Sequence, residues 1–445
     1  MYLAYSLLTL VVFVVASPYF LYQALRYKKY IGGLRQRLGF LPITFNVDGE
    51  SSIWIHAVSV GEVLAARALA ADLKARYPRL RLFLSTTTIG GQQVARRLSD
   101  VDAVFYFPFD WTFIVRRTLG LVRPRVFVMM ETEIWPNLLR ECRAQGVGTV
   151  IINGRISSRS YPRYRLIRRF FRRVLADVDR FCMQSEESAR RIVELGADPS
   201  RVTVTGSLKF DSLQAPPPAG HGRPRDRVLR FFRVSPARTV IVAGSTMRGE
   251  ESAVLRASAR IKTTIPSALV VLAPRQPERF AEAERIARDA GLVAVRRSEL
   301  PIDAEPRADV VVLDTIGELA QLYQVAKAVF VGGSLADYGG HNILEPAIFG
   351  KPIVFGPHMQ NFKEIADAFV ANDAAIQVRS EQELEEALLT LVTDPVRRAR
   401  LGAAARALVE ANRGAKDKTL DVVAELLPPG DAHGRTIVRP FRRVH

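Results

Sequence analysis

Three carboxylates follow apolar runs at positions where an acid or base could act. In Trp54-Ile-His-Ala-Val-Ser-Val-Gly-Glu62 an apolar stretch ends at Val58, Ser59 and Gly61 make a turn, and Glu62 opens a helical pattern. A carboxylate at the mouth of a sheet can take the proton of an attacking hydroxyl. Serine followed three residues later by glutamate is equally a plain capping box, and the stretch alone leaves both readings open. Met130-Glu-Thr-Glu-Ile-Trp-Pro136 places Glu131 and Glu133 after a second apolar run. Helix capping by Thr132 would account for the acids but not for a tryptophan in the loop. In Thr205-Gly-Ser-Leu-Lys-Phe-Asp211, Lys209 can meet a carboxylate or a phosphate.

A second group suits phosphate. Val329 to Pro346 reads as a buried strand, the run Gly332-Gly333-Ser334, a loop, a second glycine pair, and a helix start carrying His341, Asn342 and Glu345. Paired glycines let backbone N–H groups approach an anion without a Cβ in the way. The positive end of the following helix favours phosphate there, and Glu345 could hold ribose hydroxyls. The alternative is a structural strand-to-helix turn. Ser245, Arg275 and Asn361 each lie in a loop that follows an apolar run, and the planar fork of Arg275 suits a phosphate or a nucleobase.

These residues need a scaffold that gathers strand ends. Short apolar runs at 53–58, 81–85, 103–105, 126–130, 149–152 and 180–183 alternate with helical patterns such as 62–77. A second series follows at 239–243, 268–273, 310–313, 329–331 and 352–355. Repeated βα units imply parallel sheets with helices on both faces, which bind ligands beyond the carboxyl ends of their strands. The expected organisation is an anchor at 1–29, a Rossmann-like domain at 30–213 and a proline-rich linker at 214–227. A second Rossmann-like domain at 228–427 and a loose tail at 428–445 complete it. Residues 381–412 are charged and alanine-rich, hence helical.

The chain has 445 residues and a formal charge of +18, which suits nucleic acid, an anionic membrane or phosphorylated substrates. Two cysteines without CxxC spacing and six scattered histidines disfavour a zinc site or a disulfide scaffold. No helix-turn-helix, RNP or zinc pattern points to nucleic acid. Residues 1–22 carry no charged side chain and are followed by Arg26, Lys28 and Lys29. The length approaches the ~20 residues that span a bilayer, and the charge asymmetry places the body on the cytoplasmic side. Eight arginines and no acid lie between Arg155 and Arg173. With Tyr161, Tyr164, Ile167, Phe170 and Phe171 at helical intervals, the run predicts a basic amphipathic helix that meets an anionic partner.

Taken together, HAVSVGE, ETEIWPNLL, NGRIS, TGSLKFD, GST-x-x-GEE, PR-x-PERF, DTIGEL, GG-x-NILEPA and GPHMQNF run in order from Trp54 to Phe362. This set resembles the Kdo transferases, membrane-associated glycosyltransferases that attach 3-deoxy-D-manno-octulosonate to lipid A precursors. The resemblance implies a GT-B fold, α/β with two Rossmann-like doubly wound domains facing a central cleft. It implies CMP-Kdo as donor, a co-substrate rather than a cofactor, with no metal, and lipid IVA as acceptor at the cytoplasmic face of the inner membrane. Glu62 would be the general base of an inverting transfer. Ser59, Gly61, Glu131, Glu133 and Lys209 would serve the acceptor side. Ser245, Arg275, Gly333, Ser334, Asn342, Glu345 and Asn361 would serve the donor. Met247 and Gln276 stand where the family usually has histidine, which implies a locally rebuilt nucleotide pocket. The rival readings are a GT-B transferase or epimerase using another nucleotide sugar, and a non-catalytic membrane adaptor binding anionic lipid.

Overall fold

The computed structural model describes residues 1–27, 31–42, 45–158, 160–213, 238–300 and 305–427, so the linker expected at 214–227 and the tail from 428 lie outside the described residues. The chain forms two compact units, one of Met1–Ser212 with Arg413–His445 and one of Leu213–Asn412.

The first unit is built on β1 (Ser52–His56), β2 (Arg81–Thr86), β3 (Ala103–Tyr106), β4 (Pro124–Met130), β5 (Gly148–Gly154), β6 (Arg180–Met183) and β7 (Val202–Val204). They form one sheet in the order β3-β2-β1-β4-β5-β6-β7. Every pairing is parallel. Strands buried on both faces read as continuous apolar runs, and the two-residue period sorts them. Trp54, Phe83, Phe105 and Phe127 fill one face, while Ile53, Ile55, Leu82, Leu84, Val126 and Val128 fill the other.

The apolar N-terminal helix, Tyr2–Tyr27, lies along this unit. Three of its polar groups point inward: Tyr2 donates to Asp177 (2.7 Å), Ser6 accepts from Asn137 (2.9 Å) and Thr9 accepts from Trp111 (3.1 Å). Phe13 packs edge-on against Phe109 and Trp111. Leu3, Leu7, Val11 and Val15 face outward, Leu3 85% exposed and Val15 74%.

The last helix, Ala415–Glu425, belongs with the first unit and not with the second domain that the 228–427 boundary anticipates. Its Leu420 and Val423 join the core beside Ile55 and Val128. The Asp211 carboxylate accepts from the N–H groups of Gly414 and Lys416 (2.9 and 2.7 Å), satisfying free donors at the helix start.

The second unit carries β8 (Val240–Thr246), β9 (Leu269–Pro274), β10 (Ala294–Arg296), β11 (Val310–Val312), β12 (Ala328–Val331), β13 (Ile353–Phe355) and β14 (Ile376–Gln377). Their order is β10-β11-β9-β8-β12-β13-β14, again all parallel. Strands β7, β10 and β14 have no counterpart among the expected runs. Each has two or three residues and sits at a sheet edge, where one side needs no apolar cover. Two expected helices are divided. The basic segment forms Tyr161–Leu166 and Arg168–Leu175, broken at Ile167 (φ −113°, ψ 30°), which lets Tyr164 pack on Phe171 at 4.8 Å. Residues 381–412 form Glu381–Thr393 and Pro395–Ala411, because Pro395 cannot continue a helix and Asp394 caps the next one.

Candidate active site

The strand order reverses between β1 and β4 in the first sheet and between β8 and β12 in the second, where β10 also lies outside β11 at the edge. Crevices outside the carboxyl ends of strands at such points are where open α/β sheets bind ligands. Glu62 follows β1, and Glu131 and Glu133 follow β4, so the three carboxylates flank the first reversal.

The Ser59 cap forms, but the reciprocal bond of a capping box does not: Glu62 accepts from the Ser59 hydroxyl and the Val58 N–H in place of the Ser59 N–H, which orients the carboxylate without exhausting it. Ser59 caps the helix Val60–Arg76. Glu62 Oε1 accepts from the Ser59 hydroxyl (2.9 Å) and Oε2 from the Val58 N–H (2.9 Å). An ionised carboxylate has about four acceptor positions, so each oxygen keeps capacity for a proton. Burial and the neighbouring Glu131 carboxylate, with a smaller push from Glu133, raise Glu62 from 4.5 to about 7 against the opposing bonds from Val58 and Ser59. Gly61 is exposed beside it.

Glu131 takes a left-handed backbone (φ 55°) that turns the chain at the end of β4, and its Oε1 lies 4.0 Å from Lys209 Nζ. Glu133 Oε2 accepts from the Trp135 indole N–H (3.1 Å) and lies 3.6 Å from His56 Nε2. Trp135 packs on Phe107, which stacks on the His56 ring at 3.9 Å. The helix after this loop is not capped by Thr132, whose hydroxyl donates to the Arg155 carbonyl. Asp110 does that work, accepting from the N–H groups of Asn137 and Leu138 (3.0 and 2.8 Å). Lys209 is carried on a short turn whose first N–H, that of Leu208, donates to Asn153 Oδ1 (3.0 Å).

At the second reversal the glycine run cradles an anion, and that anion is the chain's own Glu250. Its fully buried carboxylate accepts from the N–H groups of Met247 (2.9 Å), Gly333 (2.7 Å), Ser334 (2.9 Å), Leu335 (2.9 Å) and Ala336 (3.2 Å). The expectation that Gly333 and Ser334 present free N–H groups to a donor phosphate is therefore corrected. The Ser334 hydroxyl is also engaged, accepting from Gly356 N–H (2.8 Å) and donating to the Val331 carbonyl. A Cβ at Gly332 would lie 2.6 Å from the Ser245 carbonyl oxygen, which explains the glycine. The expected helix start is a four-residue turn, Leu344–Ala347, too short to supply a helix-terminus site.

Side chains rather than backbone converge here. Burial, with the positive charge of Arg275 adding to it, lowers His341 to about 4, so the imidazole is neutral at physiological pH. Its buried Nε2 has no hydrogen-bond partner within the protein. Glu345 is raised by burial, against an Asn342 hydrogen bond (3.3 Å) and the charge of Arg275. Asn342 also accepts from the Leu344 N–H (3.1 Å). Ser245 adopts a left-handed backbone (φ 56°) at a register shift at the end of β8. Asn361 N–H donates to the Gly339 carbonyl (2.9 Å), joining the loops after β12 and β13. Met247 is buried against Gly333, and Gln276 is exposed.

His56 and Glu250 are the residues that sequence reasoning leaves out, and His341 is placed at the helix start without a role of its own. His56 and Glu250 sit inside motifs that were legible as motifs, yet their partners are 29 and 83 positions away.

The family profile described as 3-Deoxy-D-manno-octulosonic-acid transferase (kdotransferase) matches residues 32–212. The chain is 32% identical over 410 residues to the 3-deoxy-D-manno-octulosonic acid transferase of Haemophilus influenzae, covering 90% of this chain and 92% of that one. It is 35% identical over 384 residues to that of Bordetella pertussis, covering 84% and 87%. Among solved structures, UDP-GlcNAc 2-epimerase from Neisseria meningitidis matches with a TM-score of 0.57 at 12% identity, covering 84% of this chain and 100% of that chain. At that identity the likeness concerns the fold alone, two parallel-sheet α/β domains on the GT-B plan. The identity to the transferases over most of the chain is of another order: the protein belongs to the 3-deoxy-D-manno-octulosonic acid (Kdo) transferase family of glycosyltransferases.

Proposed function

We propose that this protein transfers Kdo from CMP-Kdo to a hydroxyl of a lipid A precursor, lipid IVA, with inversion at the anomeric carbon. The observation that carries the reading is the Glu62 carboxylate, held at the β1–β4 reversal by Val58 and Ser59 and raised to about 7. A base of that strength is half-ionised near neutrality and matched to its task. Glu62 takes the proton of the acceptor hydroxyl as its oxygen bonds to the anomeric carbon. The bond from that carbon to the CMP phosphate breaks, and CMP leaves with the electron pair. Lys209, paired with Glu131, and Glu133, braced by Trp135, line the acceptor side. In the second unit Arg275, His341, Asn342 and Glu345 supply a cation, a neutral ring nitrogen, an amide and a carboxyl for the nucleotide sugar. Phosphate is already a good leaving group, so the step needs no metal or cofactor.

The reading places the protein at the cytoplasmic face of the inner membrane. The 18-residue window Tyr2–Tyr19 has a mean hydropathy of 1.7, and the arginines between Arg155 and Arg173 suit an anionic surface.

The test is product mass after incubating detergent-solubilised protein with lipid IVA and CMP-Kdo, beside UDP-sugars. A gain of one or more Kdo units with CMP-Kdo alone is expected. Transfer only from a UDP-sugar would keep the fold and discard the substrate. No transfer from any donor would favour the adaptor reading.

A further inference from the structure

The arginine run does not act as one face. Arg169, Arg172 and Arg173 from the helix Arg168–Leu175 meet Arg140 and Arg143 from the helix Pro136–Ala144, and with Tyr2 of the N-terminal helix they line an open pocket of about 780 Å³. One acid, Asp177, enters it. Asp177 is engaged by the Tyr2 hydroxyl (2.7 Å) and by Arg143 (3.1 Å), while the Arg140 guanidinium lies over the Tyr2 ring at 4.9 Å. Five cations against one carboxylate leave an excess of four charges in one concavity, which favours an anion there.

The pocket's position in the fold separates it from the reacting end. Arg143 lies in the last turn of the helix that leads into β5, and Asp177 precedes β6, so the pocket sits where strands begin. Glu62 follows the end of β1, and a parallel sheet points all its strands one way. At ~3.3 Å per residue the two places are separated by roughly a strand length, ~15–20 Å. The N-terminal helix bridges them: Tyr2 closes the pocket, and Phe13 packs on Phe109 and Trp111 beyond the end of β3. Its outer side exposes Leu3, Leu7, Val11 and Val15, and Leu166 (85% exposed) and Ile167 protrude from the neighbouring turn.

Resting on the proposed membrane location, we infer that this pocket binds the phosphate of an anionic phospholipid head group at the strand-start end of the first unit, while the N-terminal helix lies in the membrane plane beside it. Arginine forks pair bidentately with phosphate, and an apolar stripe starting at the pocket's rim is where acyl chains would lie. The site is an orienting one: it fixes the sheet axis along the membrane, so that the strand-end loops meet the same surface.

The test uses the full chain and vesicle sedimentation, with phosphatidylglycerol or phosphatidylcholine vesicles, and thermal melting to monitor the fold. One variant combines Arg169→Gln, Arg172→Gln and Arg173→Gln. Its charge-matched control combines Arg163→Gln, Arg165→Gln and Arg168→Gln, from the same run but outside the pocket. Diffuse attraction, roughly fivefold per surface arginine, would cost both variants alike; the pocket variant is expected to lose at least tenfold more than the control in partition to phosphatidylglycerol, with little change on phosphatidylcholine. Equal losses in both variants would show diffuse attraction and overturn the pocket, leaving membrane attachment intact. No loss in either would overturn both. Saturable binding of inorganic phosphate, with vesicle partition unchanged in the pocket variant, would reassign the site to a free anion and overturn the lipid.

Discussion

At the residue scale, the pH dependence of the reaction is the sharpest consequence of Glu62. A base raised to about 7 by burial and by Glu131 predicts that kcat/KM climbs with pH through about 7 and then levels. Glu62→Gln keeps the hydrogen bond from Val58 N–H but cannot take a proton. It is expected to lose roughly 10²–10⁴-fold in kcat and to lose the rising limb with it. A variant that retained either would end the general-base assignment. The same shift has a cost in stability. The native carboxyl holds its proton more tightly than the unfolded chain, so stability falls as pH rises from 4.5 to about 7. Relative to its value at pH 4, Glu62→Gln should therefore gain roughly 1–3 kcal/mol over the parent at pH 8, read by chemical denaturation at both pH values. Glu62, Glu131 and Glu133 could be placed at strand ends because each lies a few residues beyond an apolar run, where a parallel sheet delivers its loops; Lys209 follows β7, a strand that no expected run marks. Gly333 and Ser334 were misread for an equally physical reason. Paired glycines announce a nest of N–H groups, but nothing local says which anion fills it, and Glu250 approaches from 83 positions away.

At the scale of elements, the double glutamate Glu250-Glu251 shows how a motif can hold a site up rather than form it. Glu250 pins the loop after β12, and Glu251 forms a buried bidentate pair with Arg279 (2.6 and 3.2 Å). The pair ties the helix Glu251–Thr264 to the turn Pro277–Arg279, two residues beyond Arg275. Breaking one partner of such a pair strands a buried charge. Arg279→Met should cost roughly 3–5 kcal/mol, and the double variant with Glu251→Met should recover much of that. Additive losses in denaturant titrations would mean that the pair is not coupled. Central strands were readable because burial on both faces leaves no polar alternation to confuse them. The edge strands β7, β10 and β14 were not, since a strand covered on one side can be as short as Ile376–Gln377. The breaks at Ile167 and Pro395 differ in the same way: proline declares itself, whereas nothing in the residue type of Ile167 announces the break that accompanies the Tyr164–Phe171 contact.

For the whole molecule, the proposed attachment to the membrane would have two components that respond differently to salt. The +18 charge and its arginine clusters act through the solvent and are screened within ~3 Å at 1 M salt. The outward side chains of the N-terminal helix act by burial, which salt does not weaken. Which of its faces is free could not be read from a segment apolar all round. Only the docked structure shows Tyr2, Ser6, Thr9 and Phe13 turned to the protein and the leucines and valines turned away. Partition of the full chain to phosphatidylglycerol vesicles should therefore fall steeply with added salt and then reach a plateau. Deleting residues 1–27 removes the plateau and leaves the salt-sensitive part weakened but present, because Arg140, Arg143, Arg169, Arg172 and Arg173 remain. If the full chain instead left the vesicles completely at 1 M salt, the apolar face would not be in the bilayer, and the helix would serve only to brace the first sheet. If the deletion removed salt-sensitive binding as well, the arginines would depend on Tyr2 for their arrangement, and the two components would be one.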